Sequence, residues 1–283
     1  MSPAQRIQLS KNPLQYEADF CYNTIMSWAS RKQFKYLSII FIFLVVIIFI
    51  IIFPIIFKKP TCSDGKQNGV ETGIDCGGSC SLMCEEDISQ PVIMWSRAFP
   101  VVGSNYNLVA FIENRNKTSG VVSASYEFRV YDSKNTLIGR RSGTTFIPPN
   151  QQFAVFESRF DAGESTIKSV SFEFSPNLPW IKKFSTLQTL PIKAKNILFD
   201  NNSDTPSLSA IINNDSVYNI PEFDIIAILY DINGNAINAS KTHKSKLLSN
   251  SSMSVTFTWP EVLSAIPVTE DVLISINPFS ISF

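Results

Sequence analysis

The hydrophobic pattern divides the chain into three unlike stretches. From Leu37 to Phe57 no position is charged, and only Ser38 and Pro54 interrupt an apolar run of 21 residues. At 1.5 Å per residue such a helix is about 31 Å long, the thickness of a bilayer's hydrocarbon core. A buried helix of a soluble domain would carry a polar stripe, whereas here every face is apolar. Phe34 and Tyr36 on one side and Lys58 and Lys59 on the other supply interfacial anchors. Pro54 falls in the last turn, where a bend costs the span little. The run is too long for a secretion signal, and Phe57-Lys58-Lys59-Pro60 offers no small residues for cleavage, so the segment is expected to stay as an anchor.

Beyond Glu85 the pattern changes to short alternating segments separated by Asn, Ser, Gly and Pro. Tyr126, Phe128 and Val130 fall on one side of a strand and Ser125, Glu127, Arg129 and Tyr131 on the other. A half-buried antiparallel strand fits. Val170, Phe172 and Phe174 repeat the pattern, and Phe223, Ile225, Ala227 and Leu229 supply a counterpart further on. The chain also repeats itself: Leu108–Asn114 matches Leu208–Asn214 at an offset of 100, Tyr131-Asp132 matches Tyr230-Asp231 at 99, and Ser175-Pro176 matches Asn277-Pro278 at 102. Two domains of the same kind follow, each long enough for about seven strands in two packed sheets. The predicted organisation is a tail over 1–36, a transmembrane helix over 37–57, a cysteine-rich module over 58–90, a first β-sandwich over 91–193 and a second over 194–283. The fold class is therefore an all-β ectodomain of two tandem β-sandwiches, immunoglobulin-like by the resemblance that Phe128–Asp132 carries, after one transmembrane helix and a small disulfide-rich module. Trp95, Trp180 and Trp259 are expected in cores or rims rather than on an exposed binding ladder. Asp132 and Asp231 close their strands with turn residues, so each carboxylate is expected to accept backbone N–H groups.

Cys62, Cys76, Cys80 and Cys84 lie within 23 residues that contain almost no core-forming side chains. Two disulfides would hold such a segment compact, in any of three pairings. Four thiolates on zinc are the weaker reading, since the spacing lacks paired C-x-x-C. Asp64, Asn68 and Asp75 occupy the first, fifth and twelfth places of a twelve-residue calcium loop, but Lys66 takes the third and Asp75 is shorter than the usual Glu. A Ca2+ site on those three residues stands beside an Asx-rich loop that satisfies its own backbone; no other cofactor is implied. The C-x-D-G-x-x-N-G-x-E-T-G-x-D-C-G-G-x-C pattern from Cys62 to Cys80 resembles a cysteine-glycine element of bacterial surface and envelope proteins, including single-pass proteins of small-genome lineages. Phe128-Arg-Val130-Tyr131-Asp132 similarly resembles the F-x-L-Y-D family of immunoglobulin-like or fibronectin-like sandwiches in bacterial and archaeal envelopes. Ala227 replaces the aromatic in the second copy. These resemblances imply a surface binding or spacing role and no catalytic residues.

Charge adds orientation. The residues before the span hold five basic and two acidic side chains, which places the N-terminus in the cytoplasm; clustered cysteines on the far side suit an oxidising compartment. With 24 basic against 24 acidic residues overall, no field attracts nucleic acid. Leu14, Ala18, Cys21, Ile25 and Trp28 share a helical spacing, so the tail lies on the inner leaflet or merely orients insertion; Cys21 is expected as a free thiol. The single histidine, His243, sits in a polar segment, and no nucleophile elbow, phosphate loop or zinc-protease motif occurs. The chain is thus read as a membrane-anchored envelope protein that presents its sandwiches for non-catalytic binding to an envelope protein or glycan. The alternative is a structural component that self-associates into homo-oligomers. Asn-x-Ser/Thr tripeptides begin at Asn116, Asn201, Asn214, Asn238 and Asn250, acceptors only where a host glycosylates.

Overall fold

The computed structural model describes residues 28–56, 61–182, 190–201 and 205–281. Among the described residues, one unit consists of helix α1 (Trp28–Ile56), and the other unit runs from Thr61 to Phe283. The helix begins nine residues before the uncharged run, because Trp28–Tyr36 contains neither Gly nor Pro to stop it. Its segment Lys32–Phe53 has a mean hydropathy of 3.4, and none of it is buried by the protein itself. Apolar side chains exposed on every side of one rod are satisfied by lipid rather than water, so the helix supports single-pass membrane anchoring. Of the tail's proposed apolar face, Trp28 opens α1 and the remaining positions lie outside the described residues, as do Phe57, Lys58 and Lys59.

The second unit contains a disulfide-bonded segment and two groups of antiparallel sheets. The first group comprises β1 (Val92–Val102), β2 (Asn105–Asn114), β3 (Ser119–Asp132), β4 (Leu137–Ile147), β5 (Gln151–Asp161), β6 (Ile167–Phe174) and the short β7 (Trp180–Lys182). They form sheets ordered β1-β2-β5 and β4-β3-β6, with β7 pairing the start of β3. The second group comprises β8 (Ile192–Asp200), β9 (Ser207–Asn214), β10 (Phe223–Tyr230), β11 (Ala236–Lys244), β12 (Ser251–Thr258) and β13 (Thr269–Ser275). Its sheets are ordered β12-β9-β8 and β11-β10-β13, the same topology strand for strand. Each pair of sheets resembles a β-sandwich with its own core. Phe128, Val130, Leu108 and Ile112 are fully buried in the first, and Ile225, Leu229, Leu208 and Ile212 in the second. The predicted inward positions Tyr126, Phe128 and Val130 are all buried, and Trp180 and Trp259 are each 3% exposed.

The repeat holds at the level of single hydrogen bonds. Buried Asn114 ends β2 and donates its amide to the Ser119 and Pro148 carbonyls at 2.9 and 2.7 Å. Asn214, which ends β9, donates to the Tyr218 and Leu248 carbonyls at 2.8 and 2.9 Å. Asp132 Oδ1 accepts the N–H groups of Lys134 and Thr136, and Asp231 Oδ1 those of Asn233 and Asn235. The left-handed residue each hairpin needs is Asn135 in one (φ 65°) and Gly234 in the other (φ 74°). Both aspartates are Asx-turn acceptors, as their sequence context predicts.

One expectation is corrected. The strand from Phe223 is not half-buried: Ile226 and Ile228, on its other face, are 2% and 0% exposed. They pack with Ala236 and Ala239 against Phe99, Val109, Phe111, Ala154 and Phe156 of the first group. The outer face of sheet β1-β2-β5 thus meets the outer face of sheet β11-β10-β13, so β2 and β10 are each covered on both sides. Trp95 joins this contact, stacked on Phe111 with ring centroids 5.5 Å apart. At about 1.5–3 kcal/mol for each fully buried aliphatic or aromatic side chain, the contact is a substantial apolar seam.

Candidate functional site

Among the described residues, the cysteine module and the grooves flanking the seam gather polar side chains outside the sandwich cores. The module has disulfides Cys62–Cys80 and Cys76–Cys84, with Cα separations of 5.6 and 5.1 Å. This interleaved pairing was one of the three that the spacing left open. Gly78 lets the loop cross itself, since a Cβ there would stand 1.7 Å from the Val70 carbonyl oxygen. The module is continuous with the first sandwich. Met83 N–H donates to the Trp180 carbonyl at 3.0 Å, Lys182 N–H to the Ser81 carbonyl at 2.7 Å, and Leu82 forms a bridge with Ile181 of β7. Asn116 and Ser89 add a reciprocal pair of hydrogen bonds at 2.9 and 2.6 Å.

The structure brings Asp64, Asn68 and Asp75 together. Asp75 accepts the N–H groups of Asp64 and Gly65 on its two oxygens, both at 2.8 Å. Asp64 accepts Lys66 N–H on one oxygen and the Asn68 amide on the other, at 3.1 and 2.9 Å. The Asn68 bond is the main cause that holds the Asp64 carboxyl below its ordinary range. This is the geometry of a loop satisfying its own backbone; a calcium ion would have to compete with those donors for the same oxygens.

The groove with the richer chemistry opens beside the seam and encloses about 460 Å³. The first sandwich contributes Tyr126, Thr144, Phe146 and Phe156, and the second Glu222, Asp224, Lys241, His243 and Asn277. β10 and β11 place Asp224 between the Lys241 ammonium, with Nζ at 3.3 Å, and the His243 ring, with Nδ1 at 2.9 Å. Lys241 also stands 5.5 Å over the Phe156 ring, a cation–π contact across the seam. Tyr126 donates its hydroxyl to Glu157 at 2.6 Å; burial first, then that carboxylate, pushes the phenol well above its ordinary value. Gly143 makes room for it, since a Cβ there would lie 2.5 Å from the Tyr126 oxygen. A second groove of about 450 Å³ lies among β5, β8 and β13. Nearby, burial and then Asp271 push Tyr230 up to about 12. Arg97 of β1 reaches across to the Ala236 carbonyl at 2.7 Å and Asn235 Oδ1 at 3.2 Å. The arrangement can recognise a polar ligand through fixed charges, hydroxyls and aromatic walls.

His243, expected in a polar strand or loop, lies in β11, and sequence reasoning missed Asp224, Lys241 and Arg97. The overlooked signal was continuous apolarity: Leu108–Ile112 and Ile225–Leu229 are unbroken runs, the mark of strands covered on both faces. Among the glycosylation tripeptides, Asn214 and Asn238 are buried and the Asn116 amide is engaged, while Asn201 and Asn250 are exposed.

The turn aspartates set a pH dependence. Backbone N–H donation, from Thr136 to Asp132 and from Asn235 to Asp231, is the largest cause holding both carboxyls below 3.8. A depressed folded-state pKa gives stability that is complete above the unfolded value and lost as pH falls through the folded one. Thermal melts of Asp132→Ala and Asp231→Ala should therefore fall below wild type at neutral pH, with the gap narrowing only below 3.8. A gap that does not depend on pH would contradict this role.

No family model matches the sequence, and no curated protein matches it. Among solved structures, the chain is similar to the crystal structure of red sea bream transglutaminase, at 9% identity over 67% of this chain and 31% of that one, with a TM-score of 0.21. It is also similar to a β-glucuronidase from glycoside hydrolase family 2, at 10% identity over 71% and 25%, with a TM-score of 0.18. The chain thus spans less than a third of either protein, and likeness at these scores carries no argument about activity.

Proposed function

We propose that the chain is a membrane-anchored, non-catalytic binding protein of a bacterial envelope, with its N-terminus in the cytoplasm and everything after the span outside. The observation that supports this reading most is the sequence of parts: an apolar rod exposed on every side, a doubly cross-linked collar continuous with a sandwich, and a second sandwich seamed onto the first. Disulfides suit an oxidising exterior, and tethering raises the effective concentration of the domains for partners at the same membrane. The groove around Asp224, Lys241 and His243 is the proposed contact site for an envelope protein or glycan.

A photo-crosslinking side chain at Thr144, on the rim of this groove, tests the reading in living cells. The expected result is one reproducible envelope neighbour, lost on Lys241→Glu and not captured from the exposed Lys168 of β6. Identical products from both positions, or none, would overturn it.

A further inference from the structure

Sheet edges display unpaired N–H and C=O groups, and proteins guard them with charges, proline and bulges. The edges of this protein are guarded with one exception among the described residues. β4 has Arg140 and Arg141 at its centre, β11 has Lys241, and β13 has Glu270 and Asp271. β6 carries Lys168. Short β7 ends in Lys182 and is bridged to Leu82, and the remaining edges, β1, β5 and β8, are both charged and broken by a register shift. β12 has none of these devices. Its eight residues, Ser251 to Thr258, contain no charge, no proline and no glycine, and they pair with β9 residue for residue without a shift. The equivalent strand of the first repeat, β5, is bulged at Arg159 (φ 57°). The open edge is thus a property of the second repeat rather than of the shared fold.

The composition of β12 selects its occupant. A strand with no charge offers a foreign strand nothing electrostatic to read, but it matches itself. Set antiparallel to its own copy with Val255 opposite Val255, Ser254 faces Thr256, Ser252 faces Thr258 and Met253 faces Phe257. The four hydroxyls of Ser252, Ser254, Thr256 and Thr258 then meet hydroxyls on the exposed face, and Met253, Val255 and Phe257 meet apolar side chains on the core face, the pairing antiparallel strands favour. We infer that the β12 edge is a homodimer interface, in which two chains join their β12-β9-β8 sheets into one continuous sheet about a twofold axis. The contact is self-complementary and closes at two copies, and confinement to one membrane favours it. It does not rest on the groove's binding role, which a monomer would serve equally.

Native mass measurement of the full chain in lipid nanodiscs or mild detergent tests the inference. Wild type should be a dimer. Ser254→Lys and Thr256→Lys, on the exposed face of the edge, should each weaken it by more than about tenfold, since like charges would then crowd across the twofold. Ser209→Lys, on the central strand of the same sheet, should remain dimeric. In a Cys21→Ser background, Ser252→Cys with Thr258→Cys should allow a short bismaleimide to join two copies, which keeps the test decisive if a lysine variant folds poorly. A monomeric wild type, a dimer indifferent to both lysines, or no cross-linked pair would overturn the inference.

Discussion

Asn214→Ala should cost the second sandwich about 2–4 kcal/mol, and Asn114→Ala the same in the first. Each side chain donates to two carbonyls in a buried site and accepts the N–H group two residues on, so truncation leaves several polar groups without partners or water. At 0% and 1% exposure, Asn214 and Asn114 leave no room for solvent to take over their bonds. Denaturant unfolding with hydrogen exchange checks this: protection should fall furthest in β8–β13 for Asn214→Ala and furthest in β1–β6 for Asn114→Ala. A loss confined to one variant would mean that the shared geometry is not doing shared work.

The seam provides the second large effect. At an offset of 99, Ile226 and Ile228 of the second repeat stand where the first has Glu127 and Arg129. The same face of the same fold is apolar where it is covered. Where it is free it is charged, with Arg129 paired to both Glu127 and Glu173. Copying the free face into the covered one, as Ile226→Glu with Ile228→Arg, removes two buried aliphatic chains and places charges against Val109 and Phe111, a loss of roughly 3–6 kcal/mol from the seam. Both side chains point away from the core of their own sandwich, so each sandwich should survive. Calorimetry should show one unfolding transition in wild type and two in the variant, with a larger radius of gyration by scattering. Collapse of the second sandwich itself would place these residues in its core rather than in the seam.

Much of this architecture was legible because its signals are local. The span follows from an uninterrupted apolar run, and Tyr126-Phe128-Val130 is a period-two pattern that only a strand with one covered face explains. The offset of 100 between Leu108–Asn114 and Leu208–Asn214 exposed the repeat, and the structure places the two segments in β2 and β9 with the same hydrogen bonds. What stayed hidden depends on distant partners. The role of Asn214 lies in a carbonyl at Leu248, the disulfide pairing depends on how a glycine-rich loop crosses itself, and Asp224 gains Lys241 and His243 as partners only when β11 pairs beside β10. The seam is the instructive miss. Phe223, Ile225, Ala227 and Leu229 were correctly taken as one buried face, but the equally apolar Ile226 and Ile228 between them already indicated a second.

The account turns on where the lipid bilayer divides the molecule. Protease added to sealed right-side-out vesicles from expressing cells should degrade everything after the span and leave a short fragment containing the tail and α1. In inverted vesicles the region from Thr61 onward should be shielded until the membrane is opened. The reverse pattern, with that region intact in right-side-out vesicles and digested in inverted ones, would contradict the proposed orientation and with it the outward presentation of both sandwiches.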